Sequence, residues 1–226
     1  MTNIFAFKGP APFVNGYRNG YLAHFHQTAS LFTSPSQGSS LQVALVTSAW
    51  SGEGTTTVML GMARALRDTC GARVLAVEIN SARPAFAKLF DVPSANSLSA
   101  VVLGSIAPRE AFYQVEPGFS VLPVGDNPVA VRGSLVRVLS QVIAAGQGTF
   151  DALLIDAPPL LQSADGFVAG SVAPRVVLVV EAARTGSESL KRVARRLEQE
   201  GISLIGSVLN KQKPCMPDWL YRRLSR

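Results

Sequence analysis

The chain has 226 residues, of which 47% are hydrophobic and 16% are charged, and its formal net charge is +6. This length suits one domain with a full core, and the composition excludes a disordered chain. No apolar run of 18 residues and no signal-peptide layout is present, so we expect a cytoplasmic protein without a spanning helix. The two cysteines lie far apart in sequence, which argues against a disulfide framework.

The first 40 residues differ in composition from the rest, because they are rich in Gly, Pro, Asn and Ser. This composition predicts an irregular N-terminal arm and linker over residues 1–40, with one short helix near residues 21–32. A single folded domain is expected over residues 41–212. A basic C-terminal tail is expected over residues 213–226.

Within the expected domain, apolar runs alternate with helical patterns. The runs predict strands at 41–47, 73–79, 119–124, 151–156, 175–182 and 203–210. Helical spacing of apolar residues covers 56–67, 134–145 and 190–200. Several strand runs are continuously apolar, as in parallel strands covered on both faces. We therefore expect an α/β fold with a doubly wound, mostly parallel sheet flanked by helices. Thr185 and Glu188 predict a capping box before the last helix, and Gly201 predicts its end.

A glycine-rich turn, AWSGEGTTT over residues 49–57, follows the first expected strand. Gly52 and Gly54 allow a tight turn whose backbone N–H groups point inward, and the next helix adds the positive end of its dipole. Such a nest binds phosphate, so we expect a P-loop NTPase-like fold. The alternative is a glycine-rich turn between strand and helix without a ligand.

The turn departs from the pattern G-x-x-x-x-G-K-[ST] at the position that carries chemistry. Ala49 holds the first position and Thr56 the hydroxyl position that ligates Mg²⁺, but Thr55 stands in place of the lysine. A hydrogen bond to a charged group contributes roughly 1.5–3 kcal/mol, and its loss costs more in a phosphoryl-transfer transition state. We expect nucleotide binding to tolerate this change better than phosphoryl transfer does.

Three segments resemble motifs of the bacterial tyrosine kinases of capsule and exopolysaccharide export. Residues 47–57, TSAWSGEGTTT, resemble that family's Walker A loop, T-S-x-x-P-G-E-G-K-S-T. Residues 77–84, VEINSARP, resemble the Walker A′ motif I-D-x-D-x-R-R-P, with Glu78 and Asn80 in place of both aspartates. Residues 151–159, DALLIDAPP, keep the Walker B motif. The resemblance covers about residues 42–212.

The resemblance implies a binding site for ATP or ADP with Mg²⁺. It assigns metal binding to Thr56 and Asp156, and nucleotide binding to Gly52, Glu53, Gly54, Thr55, Thr56, Thr57 and Asn210, where the asparagine contacts the base. The altered positions are Thr55, Glu78 and Asn80. Asn80 cannot accept a proton as a general base, so no catalytic residue is expected.

These departures favour a catalytically impaired, pseudokinase-like protein that regulates or scaffolds exopolysaccharide biosynthesis and export. The implied partner is a membrane polysaccharide co-polymerase or synthase at the inner face of the plasma membrane. Two alternatives stay open. One is a weakly active tyrosine kinase or ATPase in which Glu78 and Asp156 share the work, and the other is a relative of the partition-type ATPases associated with cellulose synthesis.

Several family features are reduced here. The tyrosine cluster at the C-terminal end is represented by Tyr221, and the arginine-rich assembly helix is missing, so homo-oligomerisation stays open. From Lys191 onward the chain has nine Lys or Arg against three Asp or Glu. This basic end indicates either contact with an anionic membrane surface or a solvated helix face, and no nucleic-acid partner is expected. Trp50 either stacks on a base or fills the phosphate pocket.

Overall fold

The computed structural model describes residues 4–6 and 41–212. These residues form eight strands and seven helices. The strands are β1 (Ile4–Ala6), β2 (Gln42–Ser48), β3 (Val74–Glu78), β4 (Tyr113–Glu116), β5 (Phe119–Leu122), β6 (Ala152–Asp156), β7 (Arg175–Glu181) and β8 (Ser203–Asn210). The helices are α1 (Thr55–Cys70), α2 (Phe86–Phe90), α3 (Leu98–Val102), α4 (Pro128–Gly133), α5 (Leu135–Gly146), α6 (Asp165–Gly170) and α7 (Ser187–Gln199).

All the strands belong to one sheet in the order β1-β8-β7-β2-β6-β3-β5-β4. Every neighbouring pair is parallel except β4 and β5. Successive residues of β2 face opposite sides, with Leu45 in one core cluster and Ala44 and Val46 in the other. Helix α1 covers the second side, whereas α5 and α7 cover the first. The predicted doubly wound, mostly parallel α/β fold is confirmed.

The bounds of the long elements follow from local sequence. Helix α1 begins after Gly54 and ends at Gly71, and both glycines take left-handed backbone angles that few other residues adopt. Helix α7 buries Val193 and Leu197 on one face, as its spacing predicts. Gly201, with φ 68°, follows its last turn as expected.

The capping box predicted for α7 is wrong. Its N-cap is Gly186, which has no side chain to accept a bond from the helix. The Thr185 hydroxyl instead donates to the Glu53 carboxylate of the loop after β2. The helix begins one residue later than a cap at Thr185 requires, and the bond to a buried carboxylate from a distant segment orients the Thr185 side chain away from the helix start.

The structure also contains elements that the sequence analysis did not find. Strand β4 is a half-exposed edge strand with a bulge, and it lacks a clear alternation of apolar residues. Helices α2, α3, α4 and α6 have five or six residues each, too few for a helical repeat to stand out. Strand β1 lies inside the arm predicted to be irregular and pairs in parallel with β8. The helix expected near residues 21–32, the tail over 213–226 and Tyr221 lie outside the described residues.

The sheet brings the loops after β2 and β6 together. The strands pair in parallel from Gln42 with Ala152 to Val46 with Asp156, so both loops leave the same edge of the sheet. The Thr47 hydroxyl donates to the Pro158 carbonyl at 2.8 Å, and the Leu160 N–H donates to the Ser48 carbonyl at 2.9 Å. Ligands of open parallel sheets bind at this carboxyl edge.

Substitution of two glycines, Gly125 and Gly104, can test how tightly the loop after β5 packs. Gly125 and Gly104 both have left-handed backbones, with φ 85° and 75°. A methyl group on Gly125 would overlap the hydroxyls of Ser97 and Ser99, whereas nothing lies within 4 Å of that position on Gly104. We expect Gly125→Ala to lower the free energy of unfolding by about 2–4 kcal/mol and Gly104→Ala by about 1 kcal/mol, measured by urea denaturation. Equal losses in the two variants would contradict this packing.

Candidate functional site

The turn over residues 49–57 has the backbone geometry of an anion-binding nest. Gly52 and Gly54 have φ 87° and 92°, both in the left-handed region. The Val58 N–H makes the first helical bond, to the Gly54 carbonyl, at 3.0 Å. The N–H groups of residues 52–57 have no acceptor within the described part of the chain. Six free donors at the start of a 16-residue helix suit a phosphate group.

Glu53 braces this nest from the inside. Its side chain is buried, and Oε2 accepts hydrogen bonds from the N–H groups of Ala49 at 2.9 Å and Trp50 at 3.1 Å. The other carboxylate oxygen accepts from the Thr185 hydroxyl. The sequence analysis placed Glu53 among the nucleotide-binding residues. In the structure its side chain holds the loop in shape. The part of Glu53 that remains free to bind a ligand is its backbone N–H.

The end of β8 supports the loop from the other side. The buried Asn210 amide donates to the Glu53 carbonyl at 2.8 Å and accepts from the Lys211 N–H at 2.9 Å. The Lys211 ammonium donates to the Gly52 carbonyl at 2.6 Å and to the Glu181 carboxylate at 3.1 Å. Contact of Asn210 with a base stays a prediction. Lys211 could not be predicted as a loop contact, because its one signal in the sequence is its place directly after Asn210.

Thr56 and Asp156 form the predicted hydroxyl and carboxylate pair. The Thr56 hydroxyl donates to Asp156 Oδ2 at 2.6 Å, and Asp156 is fully buried. Its second oxygen, Oδ1, has no partner among the residues that the structure describes. Burial raises the pKa of Asp156 to about 7, the negative charge of Glu78 adds to the rise, and the Thr56 bond opposes it. An unpartnered buried carboxylate oxygen beside a hydroxyl is a suitable donor set for Mg²⁺.

Glu78 lies beside Asp156 in the register of β3 and β6. Its Oε1 accepts from the N–H groups of Ala85 at 2.5 Å and Phe86 at 3.2 Å, and its Oε2 accepts from Val124 at 3.4 Å. Burial raises the pKa of Glu78, and these three backbone bonds oppose the rise. Both oxygens therefore hold the chain around α2 and β5. This arrangement gives the Glu78 carboxylate a structural task, because it accepts three backbone hydrogen bonds.

A groove of about 200 Å³ opens over the nest. It is lined by Ser48, Ser51, Gly52, Gly54, Thr55, Thr56, Thr57, Asn80, Arg83 and Pro159. The buried Oδ1 atom of Asn80 has no hydrogen-bond partner among the described residues. Trp50 lies outside this lining, since its indole N–H donates to the Ser189 hydroxyl of α7 at 3.2 Å. The interpretation that Trp50 fills the phosphate pocket is therefore wrong.

The residues present fit a nucleotide phosphate with Mg²⁺. The nest supplies neutral donors for phosphate oxygens, and Thr56 and Asp156 supply two oxygen ligands for the metal. No group of three His, Cys, Asp or Glu side chains that could hold a metal occurs within residues 4–6 and 41–212. The remaining metal ligands would come from water or from the ligand, as is usual for Mg²⁺. The lysine charge is missing from the loop at Thr55.

No family model matches the chain. Among curated proteins, the tyrosine-protein kinase YwqD of Bacillus subtilis is 25% identical over 177 residues, which cover 76% of this chain and 73% of that protein. The tyrosine-protein kinase CpsD of Streptococcus agalactiae is 24% identical over 179 residues, covering 77% of each chain. The tyrosine-protein kinase etk of Escherichia coli K12 is 28% identical over 143 residues, covering 61% of this chain and 19% of that protein.

The chain is thus similar in sequence to bacterial tyrosine kinases, at identities of 24–28%. Solved structures agree on the fold: the chimerical protein CapA2B2 has a TM-score of 0.81 at 20% identity, covering 94% of this chain and 95% of that one. The kinase domain of Escherichia coli ETK has a TM-score of 0.77 at 20% identity, covering 93% and 84%. Cobyrinic acid a,c-diamide synthase from Mycobacterium smegmatis, with bound ADP and magnesium, has a TM-score of 0.58 at 20% identity, covering 74% and 72%.

The match spans most of YwqD and CpsD but about a fifth of etk, so the kinase-like region stands alone in some relatives and within a longer chain in others. Across the described ranges 4–6 and 41–212, no helix has the length and apolar character needed to cross a membrane.

The buried Glu53 brace predicts a measurable stability loss. Glu53→Ala leaves the buried Ala49 N–H unpaired, so we expect the free energy of unfolding to fall by about 3 kcal/mol. Glu53→Gln keeps an acceptor oxygen and should cost about 1 kcal/mol. Urea denaturation measures both losses, and hydrogen exchange at the Ala49 and Trp50 amides locates them. An alanine variant within 0.5 kcal/mol of the parent would contradict the brace.

The raised pKa of Asp156 makes the stability of the ligand-free protein depend on pH. An unfolded aspartate ionises near 3.8, whereas folded Asp156 keeps its proton to about pH 7. The folded state binds more protons in this window, so its stability falls between about pH 4 and 7 and then levels off. Asp156→Asn removes this cost, so we expect it to be more stable than the parent at pH 8 by on the order of 2–4 kcal/mol.

The difference in stability between Asp156→Asn and the parent should vanish at pH 4. Thermal unfolding at a series of pH values measures this difference. Asp151 serves as a control of opposite sign, because its hydrogen bond and charge interaction with Arg73 lower its pKa. Asp151→Asn should therefore be the less stable variant at pH 8. A parent protein more stable than Asp156→Asn at pH 8 would contradict the assignment.

Proposed function

We propose that this chain is a catalytically impaired member of the bacterial tyrosine kinases that binds a nucleotide and acts as a regulator or scaffold. Its nucleotide is ATP or ADP with Mg²⁺, held by the backbone nest of residues 52–57 and by Thr56 and Asp156. When bound, the metal supplies charge neutralisation for the phosphates. The chain's own residues bind and orient the phosphates, but they supply neither the loop lysine nor a free general base.

One observation carries this proposal. The residues suited to binding, Thr56 and Asp156, are present and in contact, whereas the residues expected to take part in phosphoryl transfer are replaced. The Thr56 hydroxyl meets Asp156 at 2.6 Å beneath six free N–H donors, which is what binding requires. Thr55 carries no charge, and the Glu78 carboxylate is engaged by three backbone N–H groups. Phosphoryl transfer depends on positioned charge far more than binding does.

The biological setting proposed is bacterial exopolysaccharide biosynthesis and export. The names of relatives support a kinase-related setting, including a tyrosine-protein kinase in the cps region of Klebsiella pneumoniae. The partner is a membrane polysaccharide co-polymerase or synthase at the inner face of the plasma membrane. The exposed basic residues of α7 suit contact with an anionic membrane surface.

A weakly active kinase or ATPase is the second candidate. Asp156 favours it, because a buried carboxylate with a pKa near 7 is the kind of group that active sites use for proton transfer. The engagement of Glu78 by the backbone counts against a shared role for the two carboxylates.

A transfer assay separates the two candidates. The full chain is incubated with γ-labelled ATP and Mg²⁺ beside the Asp156→Ala and Thr55→Lys variants. We expect no phosphotyrosine or phosphate release above the Asp156→Ala background, and about tenfold tighter ATP binding in Thr55→Lys without a gain in transfer. Label on Tyr221, or turnover lost in Asp156→Ala, would overturn the proposal in favour of the weak enzyme.

A further inference from the structure

The groove over the nest contains one formally charged side chain among its lining residues, that of Arg83. The other lining residues are glycines, hydroxyl residues, Asn80 and Pro159. A triphosphate brings several negative charges into this space, and the lysine that would meet them is Thr55 here. Arg83 is therefore the cation in the groove that is placed to compensate for this loss.

The backbone around Arg83 is held on both sides. Its N–H donates to the Asn80 carbonyl at 3.3 Å in the turn after β3. Two and three residues further on, the N–H groups of Ala85 and Phe86 donate to the Glu78 carboxylate. The carboxylate that replaces a catalytic aspartate thus fixes the segment that carries the arginine.

The guanidinium of Arg83 has no hydrogen-bond or ion-pair partner among the described residues, and its side chain is exposed. Neighbouring arginines at this edge of the sheet differ in that respect. Arg132 pairs with Asp165 at 3.0 Å, and Arg184 pairs with Glu181 at 2.9 Å. Arg83 is consequently available to an anionic ligand without first breaking a contact.

The strand order of the sheet indicates which phosphate of a nucleotide Arg83 would contact. The loop after β2 lies between β6 and β3 on one side and β7 and β8 on the other. Asp156, at the end of β6, is the carboxylate that would hold Mg²⁺, and the metal would neutralise charge on the terminal phosphates there. Arg83 follows β3 on this same side, whereas Asn210 and Lys211 follow β8 on the opposite side. A terminal phosphate beside this metal would lie on the Arg83 side of the groove.

We infer that Arg83 binds the terminal phosphate of a nucleoside triphosphate and makes this site prefer the triphosphate over the diphosphate. The inference rests on the proposed nucleotide binding and adds its specificity. Arginine suits the role because its planar guanidinium can donate two parallel hydrogen bonds to a phosphate. The site thereby distinguishes ATP from ADP without carrying out the transfer that interconverts them.

The test is calorimetric titration of the full chain with Mg²⁺–ATP and, separately, Mg²⁺–ADP. The variants are Arg83→Ala and Arg83→Lys, with Arg137→Ala on the outer face of α5 as a control for the change in net charge. We expect Arg83→Ala to weaken ATP binding at least tenfold and ADP binding less than threefold. Arg83→Lys should retain part of the ATP preference, and Arg137→Ala should match the parent.

Unchanged ADP binding in Arg83→Ala also reports an intact nest, so a folding defect is not mistaken for a lost contact. A parent that binds both nucleotides and an Arg83→Ala variant that binds ATP equally well would overturn the inference but leave the proposed function standing. Equal weakening toward ATP and ADP would overturn the assignment to the terminal phosphate. A parent that binds neither nucleotide at millimolar concentration would overturn the proposed function together with the inference.

Discussion

The hydrogen bond between Thr56 and Asp156 is the contact on which the candidate site depends. It joins the first turn of α1 to the end of β6 at 2.6 Å, and the parallel pairing of β2 with β6 brings these two ends together. Burying a carboxylate with one unpartnered oxygen is unfavourable, and a second carboxylate, Glu78, lies on the next strand. A site that keeps so unfavourable a group is best explained by a cation that it is built to bind.

The phosphate loop is held in shape by contacts that involve no phosphate. Glu53 binds two of the loop's N–H groups from inside, Asn210 binds its backbone from β8, and the Gln162 amide oxygen accepts from the Ser51 N–H at 2.9 Å. These side chains hold a nest whose donors for phosphate are backbone N–H groups. Chemistry needs particular side chains instead. Thr55, Glu78 and Asn80 could therefore diverge while the fold and the nest persisted.

Much of the fold could be predicted because long, continuously apolar strands leave a clear sequence signal. The strands β2, β3, β5, β6, β7 and β8 lie within two residues of their predicted ends, and α1, α5 and α7 lie within three. Strand β4 and the four short helices could not be predicted, because β4 is a bulged edge strand without apolar alternation and the helices have only five or six residues each.

The loop and the Thr56–Asp156 pair were predictable from motif spacing. The brace at Glu53, the support from Lys211 and the place of Arg83 were not, because each depends on which loops the sheet order brings together. Glu78 shows the same limit. Its place in the motif indicated a carboxylate available for catalysis. In the structure, three backbone N–H groups donate to this carboxylate, so it stabilises the local fold.

The central claim is that this site binds a triphosphate and leaves it intact. A single-turnover experiment tests it most directly: excess full-length protein is mixed with γ-labelled ATP and Mg²⁺, the protein-bound label is isolated, and its chemical form is determined over time. The account predicts that the label stays bound to protein and is recovered as ATP. Label recovered as phosphotyrosine or inorganic phosphate, or none retained by the protein, would contradict it.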